Sequence, residues 1–356
     1  MEVLYKSKLP PAMDYGAGVF LFVVAVLSFI GNILVLVTAI RRATKLKPPE
    51  LLSVNLAVTD LGAAVTMYPL AIASAFNHGW LGGDATCLYY GLMGFFFGVA
   101  SMMTLTVMSV VRFIISLSLQ SPKEKISKGR IQLLIMGTWV CALLWAVFPL
   151  LGWGKYGPEP FGTSCTLAWS EMKENGFSFV ITMFLINLLI PATIIVGCYS
   201  GLALKLHAAY KSINNSNQIP NILKMHRKLL IIAVLISMGF IGCWTPYAAV
   251  SLWSVFRSSE SIPPEVSVLP CLFAKSSTVY NPLVYYLFSK TFKREVRQLK
   301  WTCGRSKASN EPDSNHTVEN ANHAPCDGQR QNIPTVNQSP RMQTEAEIKV
   351  YTMECL

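Results

Sequence analysis

Seven long apolar stretches separated by short polar connections organise the chain, at approximately 17–41, 51–76, 86–118, 131–151, 176–204, 229–256 and 266–289. About 20 helical residues cross a hydrocarbon core of roughly 30 Å, so each stretch can span a bilayer. Helix is the open-chain form available there, because every backbone group must be satisfied without water. The pattern predicts an all-α membrane protein, a seven-transmembrane helix bundle. The first stretch is too long for a signal-peptide core and lacks a basic leader with a small-residue cleavage site, so it reads as a retained helix. After the seventh, "SKTFKREVRQLK" at 289–300 sets Phe292, Val296 and Leu299 on one face among basic residues. That predicts a short amphipathic eighth helix in the membrane interface. The expected organisation is an N-terminal segment over 1–16, a seven-helix domain over 17–289, the amphipathic helix over 290–303, and a polar, aperiodic, disordered tail over 304–356.

Composition agrees with a membrane protein: 52% of residues are hydrophobic and 14% charged, too few charges to cover a soluble surface. Lys6, Lys8, Lys155, Lys173 and Arg257 fall on one side of the predicted topology, while 24 of the 30 Lys and Arg fall on the other. The positive-inside rule then puts the N-terminus outside, the tail in the cytoplasm, and the whole in the plasma membrane as a multi-pass protein. The net charge of +11 becomes a cytoplasmic feature, explained by topology and attraction to anionic lipid. It leaves room for a docking surface for a cytosolic partner, and nucleic acid is not an expected partner.

Of nine cysteines, most lie in apolar stretches, where a thiol is a small buried group. Cys87, at the outer start of the third stretch, and Cys165, in the outer loop between the fourth and fifth, are different: an oxidising exterior permits a disulfide that pins this loop across the bundle mouth. The loop, "GKYGPEPFGTSCTLAW", is rich in Gly and Pro and predicts a lid of turns and extended backbone. Cys303, at the membrane edge, suits palmitoylation. The glycosylation matches at Asn214, Asn315 and Asn337 all fall on the predicted inner side and are discounted.

Cys87 and Arg112 stand about 37 Å apart along one helix axis and so mark its two ends. Between them Gly91, Gly94 and Gly98 form a smooth stripe that suits a packed helix or a ligand. Trp244 and Pro246, in "CWTPY", fall at the middle of the sixth stretch, where proline permits a bend; Trp244 is either a core aromatic or a lever beside that bend. At a similar depth "LFAKSSTVYNPLVYY" places Lys275. An ammonium at the centre of a membrane helix costs about 2.5–3.5 kcal/mol on insertion scales. A structural ion pair would need a carboxylate at the same depth, and the acid inside the stretches, Asp60, lies nearer the inner side. A water or ion path would need more ionisable groups. The third reading is covalent, a lysine that condenses with an aldehyde to a Schiff base. The residues themselves leave these open.

"GN" at 31–32, "LAVTD" ending at Asp60, "RF" at 112–113, "CWTP" at 243–246 and the NPxxY of Asn281, Pro282 and Tyr285 resemble the rhodopsin-type G-protein-coupled receptors over roughly 15–303. Lysine six positions before the NPxxY asparagine resembles the retinal attachment site of the opsins. "GFFFG", "EPFGTSCTL" and "SIP" are most similar to the non-visual neuropsin (opsin-5-like) group.

The resemblance implies a light-sensing receptor, not an enzyme, with retinal (11-cis or all-trans) as a Schiff base on Lys275 and no assigned metal or catalytic site. Tyr90, Gly94, Gly98, Phe240, Trp244, Tyr247 and Cys271 match pocket positions. Tyr90 occupies the helix-three counterion position, so the other opsin site, Glu159 in the lid, is the candidate counterion. Tyr68 stands before Pro69 where neuropsins often carry lysine, so the wavelength class of that group need not transfer. Arg112, Tyr199, Asn281, Pro282 and Tyr285 match the switch that engages a heterotrimeric G protein, here expected to be of inhibitory type. Val111 replaces the usual acid beside Arg112, and an unrestrained arginine would raise dark activity or alter G-protein coupling. A receptor kinase and arrestin on the tail are further implied partners. The alternatives are an opsin-like retinal photoisomerase and a chemically activated receptor without chromophore.

Overall fold

Helix α1 (Pro11–Arg41) begins ahead of the apolar stretch expected from 17. Pro11 at the first helical position loses no hydrogen bond, because that N–H would be orphaned anyway. Asp14 in the first turn is buried, accepting from Ser7 Oγ at 2.9 Å and pairing with His78 Nδ1 at 3.0 Å. These partners let the helix start within the polar N-terminal segment, so residues 11–16 belong to the bundle rather than to a separate terminus. The structure is a computed structural model, and it describes residues 5–117, 126–173, 176–213, 221–256 and 262–308.

The next spans are α2 (Glu50–Phe76), α3 (Gly83–Leu117) and α4 (Lys128–Val147). The fifth is composite: α5 (Phe177–Phe184), one π-turn (Leu185–Leu189) and α6 (Ile190–Ile213). Helix α7 (Asn221–Phe256) carries Pro246 inside it. Six of these paths are long and apolar enough to cross a membrane. The seventh, expected as one helix, is two: α8 (Pro264–Lys275) and α9 (Ser277–Phe288), with Ser276 between them. Helix α10 (Lys290–Ala308) follows, longer than the 290–303 expected of the amphipathic segment.

Two compact units divide the chain, the first over Met1–Val296. Of the second, residues 297–308 are described, as the continuation of α10. The side chain of Cys303, the three glycosylation matches and the predicted tail beyond 308 lie outside the described residues.

Within the first unit α3 packs against α2, α4, the fifth span and both lid strands. Strands β1 (Tyr156–Pro158) and β2 (Cys165–Leu167) pair antiparallel, Gly157 opposite Thr166, so the predicted lid is a short hairpin. The Cys87–Cys165 disulfide ties β2 to the head of α3. The N-terminal strap crosses the same hairpin, where Lys8 N–H donates to the Phe161 carbonyl at 3.1 Å, and is tied to the α2–α3 connection, where Trp80 N–H donates to the Tyr5 carbonyl at 2.7 Å. A Cβ on Gly162 would stand 2.2 Å from the Lys6 carbonyl oxygen, and its φ of 88° is left-handed, so glycine is required where the strap passes.

Between helices, polar side chains rather than hydrophobic transfer supply the specific contacts, as expected where lipid is as apolar as the core. Asn55 Nδ2 donates to Thr104 Oγ1 at 2.9 Å, and Trp139 Nε1 donates to Asn55 Oδ1 at 2.8 Å, joining α2, α3 and α4. Asn32 Nδ2 donates to the Thr278 carbonyl at 3.0 Å, joining α1 to α9. Large apolar side chains such as Phe22, Leu133 and Leu204 face outward. At the end away from the lid, Leu56, Leu105, Met108 and Tyr285 pack with Phe292 and Val296 of α10, on the apolar face expected of that helix.

Gly31 lets α1 approach α9: a Cβ there would lie 2.8 Å from Pro282 Cβ, part of a rigid ring. Gly31→Ala should therefore destabilise the bundle by about 1–3 kcal/mol. Gly137→Ala, with nothing within 4 Å, should be neutral or stabilising by up to ~1 kcal/mol from helix propensity alone. Thermal unfolding of the two variants in one detergent checks the difference.

Candidate functional site

Lys275 is the last residue of α8, and the helix break that follows it shapes the surroundings of its amine. The break frees the Lys275 carbonyl, which accepts from Tyr68 Oη at 2.7 Å; Tyr68 also meets Thr278 Oγ1 at 3.0 Å. Tyr68 thereby holds both sides of the discontinuity. It is the residue before Pro69 of α2, where a lysine would have brought a second charge instead.

The Lys275 amine donates to Cys271 Sγ, one turn back, at 3.0 Å, and lies 5.6 Å from the centre of the Tyr90 ring. That distance is within cation–π range. Tyr90 is fully buried and braced edge-on by Trp80, with ring centres 5.0 Å apart. The position read as lacking a helix-three acid thus presents an aromatic face to the amine. Behind it the hydroxyls of Tyr90 and Ser164 are buried without a hydrogen-bond partner of normal geometry.

A cavity extends from the amine beneath the lid towards the fifth span. Gly94, Gly98, Phe240, Trp244, Tyr247 and Cys271 all line it, as does Glu159. A Cβ on Gly98 would reach 3.4 Å from the Trp244 ring, and one on Gly91 would meet Tyr156 at 2.9 Å. The glycine stripe of α3 therefore serves the cavity floor and the lid at once. Trp244 Nε1 donates to Ser277 Oγ at 3.2 Å, two residues beyond Lys275, and its ring packs on Phe240 and Tyr247.

Glu159 sits in the hairpin turn with 6% of its surface exposed. Its N–H donates to the Ser164 carbonyl at 2.8 Å, and Tyr247 Oη donates to its Oε1 at 2.8 Å. A hydroxyl has one proton, so with that proton on Glu159 the 3.0 Å contact between Tyr247 and Thr166 has Thr166 donating. Trp169 Nε1 adds a donor to the Tyr247 oxygen at 3.3 Å. Burial pushes the Glu159 carboxyl up to about 7, against the opposing pull of the Tyr247 hydrogen bond and the Lys275 charge. Among the described residues no ion pair within 4.0 Å joins Glu159 to Lys275; the carboxyl acts on the amine through its field.

Asp60 is not a partner of the amine. Its Oδ2 accepts from Asn281 Nδ2 at 2.6 Å, one helical turn and a half beyond Lys275. Among the described residues no ion pair involves Arg112, and its neighbour Val111 is buried and apolar. Arg112 Nη1 donates to the Leu229 carbonyl at 3.4 Å, crossing from α3 to α7. Tyr199 accepts from Ser237 at 3.3 Å, and among the described residues no hydrogen bond joins Arg112 to Tyr199 or Tyr285 in this conformation. Ser277 and Asn187 are among the cavity residues that the sequence reading did not single out. Ser277, which holds Trp244, carries no signal beyond adjacency to Lys275. Asn187 had one, a lone amide in "TMFLINLLIPA" four residues before a proline.

A profile of the 7 transmembrane receptor (rhodopsin family) matches residues 31–285. Opsin-5 of Homo sapiens is 38% identical over 291 residues, which is 81% of this chain and 82% of that protein. The visual pigment-like receptor peropsin of Homo sapiens is 34% identical over 284 residues, 78% of this chain and 82% of that protein. The crystal structure of squid rhodopsin superposes with a TM-score of 0.73 at 26% identity, covering 86% of this chain and 89% of that one.

The raised Glu159 carboxyl makes stability depend on pH. Between its ordinary 4.5 and about 7 the folded state holds a proton that the unfolded chain has released. Stability falls as pH rises wherever the native state binds more protons. Glu159→Gln should flatten that fall, measured as melting temperature against pH from 5 to 8 in the protein without ligand.

Proposed function

We propose that Lys275 carries retinal as a Schiff base, for the chain belongs to the rhodopsin family of seven-transmembrane receptors and, within it, to the opsins. It is a light-sensing receptor of the membrane rather than an enzyme, and a receptor of this family has a heterotrimeric G protein as partner. The observation that carries the assignment is the Lys275 amine itself, half-buried at the break of the seventh span and lining an aromatic cavity. The residues present suit the group: an amine to condense with the aldehyde with loss of water, and a cavity with apolar and aromatic walls.

Bound there, retinal supplies visible or near-ultraviolet absorption and a light-driven change of shape. The chain's own residues do the rest. Glu159, oriented by Tyr247, lends negative charge that favours a proton on the nitrogen at Lys275, and Tyr90 offers a ring face to the same charge. Tyr68 fixes the backbone at the break, so the nitrogen keeps its position. Trp244, bonded to Ser277, links the cavity wall on α7 to the seventh span, and Asn281 links that span to Asp60. Motion at the cavity reaches α7 and α9 through these bonds, and at their far end Arg112 rests on an α7 carbonyl. Separation of α7 from α3 would release Arg112 for the G protein, which we assign to the inhibitory class.

Four outcomes test this reading. Acid denaturation of the reconstituted protein should leave a protonated retinal adduct that Lys275→Ala lacks; an adduct in the variant would refute the assignment. The intact pigment should absorb in the visible at neutral pH, with Glu159→Gln displacing the maximum to the ultraviolet. Illumination should raise GTP exchange on an inhibitory G protein. Because Val111 leaves Arg112 without an acid, the parent should also show exchange in darkness that Val111→Glu lowers; unchanged dark exchange in that variant would refute the role given to Val111.

A further inference from the structure

One end of the cavity is Lys275 on the seventh span, and the other reaches the fifth, where Asn187 lines it. Asn187 is buried to 6% exposure, and neither its Nδ2 nor its Oδ1 has a hydrogen-bond partner. The other described asparagines buried in the bundle differ in that the amides of Asn32, Asn55 and Asn281 each donate to a named acceptor on another helix, although Asn32 Oδ1 also lacks a partner. A buried amide with both ends unpaired is unfavourable, so it points to a group that arrives later.

The backbone gives Asn187 its place. Residues Leu185–Leu189 form a π-turn in which the Ile190 N–H bonds the Leu185 carbonyl, five residues back. Single π-turns inside α-helices recur at functional sites, because the added residue re-aims those beside it. Around Asn187 the cavity wall is apolar, with Met102, Phe184, Leu188 and Phe240. This end therefore suits a hydrophobic ring bearing one hydrogen-bonding oxygen. A single hydroxyl there can donate to Oδ1 and accept from Nδ2, satisfying both orphaned atoms.

A retinoid attached through its aldehyde at Lys275 directs its ring towards the opposite end. Resting on that attachment, we propose that Asn187 is the recognition site for an oxygen on the ring, and that the protein takes a ring-hydroxylated retinal in preference to unsubstituted retinal. Sites that hydrogen-bond a ligand hydroxyl discriminate against the analogue lacking it, because their polar atoms are then left unpaired.

The test incubates the purified full-length protein in darkness with retinal, 3-hydroxyretinal and 4-hydroxyretinal, each as the 11-cis and all-trans aldehyde, and measures the half-saturating concentration for the acid-trapped adduct. One hydroxylated aldehyde should saturate at about tenfold lower concentration than retinal, equivalent to ~1.4 kcal/mol. Asn187→Leu should abolish that preference, so that within the variant the hydroxylated aldehydes and retinal saturate at the same concentration. Equal saturation by all the aldehydes in the parent overturns the proposal, and this arm needs no variant to fold. A preference that survives in Asn187→Leu overturns it too. Absence of any adduct in the parent is a separate failure: it overturns the Lys275 attachment, and this proposal with it.

Discussion

An amine buried in an apolar bundle is the constraint on which the surrounding architecture depends. Left alone, Lys275 would carry the full penalty of a charge in hydrocarbon, about 2.5–3.5 kcal/mol on insertion scales. No single partner removes that penalty here. Cys271 accepts its hydrogen bond, Tyr90 offers an aromatic face, and Glu159 reaches it from the lid through space. Distributing the compensation leaves the nitrogen without an ion pair within 4.0 Å among the described residues. It also ties the site to three separate elements, α3, the hairpin and the seventh span, so the disulfide at Cys87–Cys165 and the strap over Gly162 become parts of the amine's environment.

The helix break beside that amine turns the seventh span into the shared element of the two ends. Tyr68 and Thr278 occupy the carbonyl freed at Lys275, and the carbonyl of Thr278 in turn receives Asn32. A residue earlier, Ser277 holds Trp244; three residues later, Asn281 holds Asp60. The close contact of Gly31 with Pro282 then seats the span against α1. The cavity and the Asn281–Asp60 contact are joined by a short series of hydrogen bonds on one broken helix. No long-range path has to be invoked, because each of these residues lies within two turns of Lys275.

Much of this is legible in the sequence. The seven spans, the amphipathic face of Phe292 and Val296, the lid and its disulfide pair all follow from apolar runs, spacing and compartment chemistry. Lys275 declared itself as the one charge inside a span whose presence needed a reason. The misses have physical causes. The early start of α1 depends on His78, 64 residues from Asp14. The break at Ser276 has no proline or glycine to mark it; Tyr68, far away in sequence, makes it tolerable. The π-turn at Leu185–Leu189 lies in a run where helix and π-turn have the same composition.

The sequence by itself determined which residues could carry chemistry: an amine at mid-depth, an acid in the lid, an arginine at the far end of α3 with valine beside it. Those are local facts, set by residue type and by depth along a helix. Only the tertiary structure decided how they meet. It put Tyr90 rather than a carboxylate against the amine, kept Glu159 beyond ion-pair distance, and left Asn187 unpaired at the opposite end of the cavity. Depth along a helix can be counted from sequence, but the rotation of one helix against another is fixed by packing, and it is rotation that chooses each side chain's neighbour.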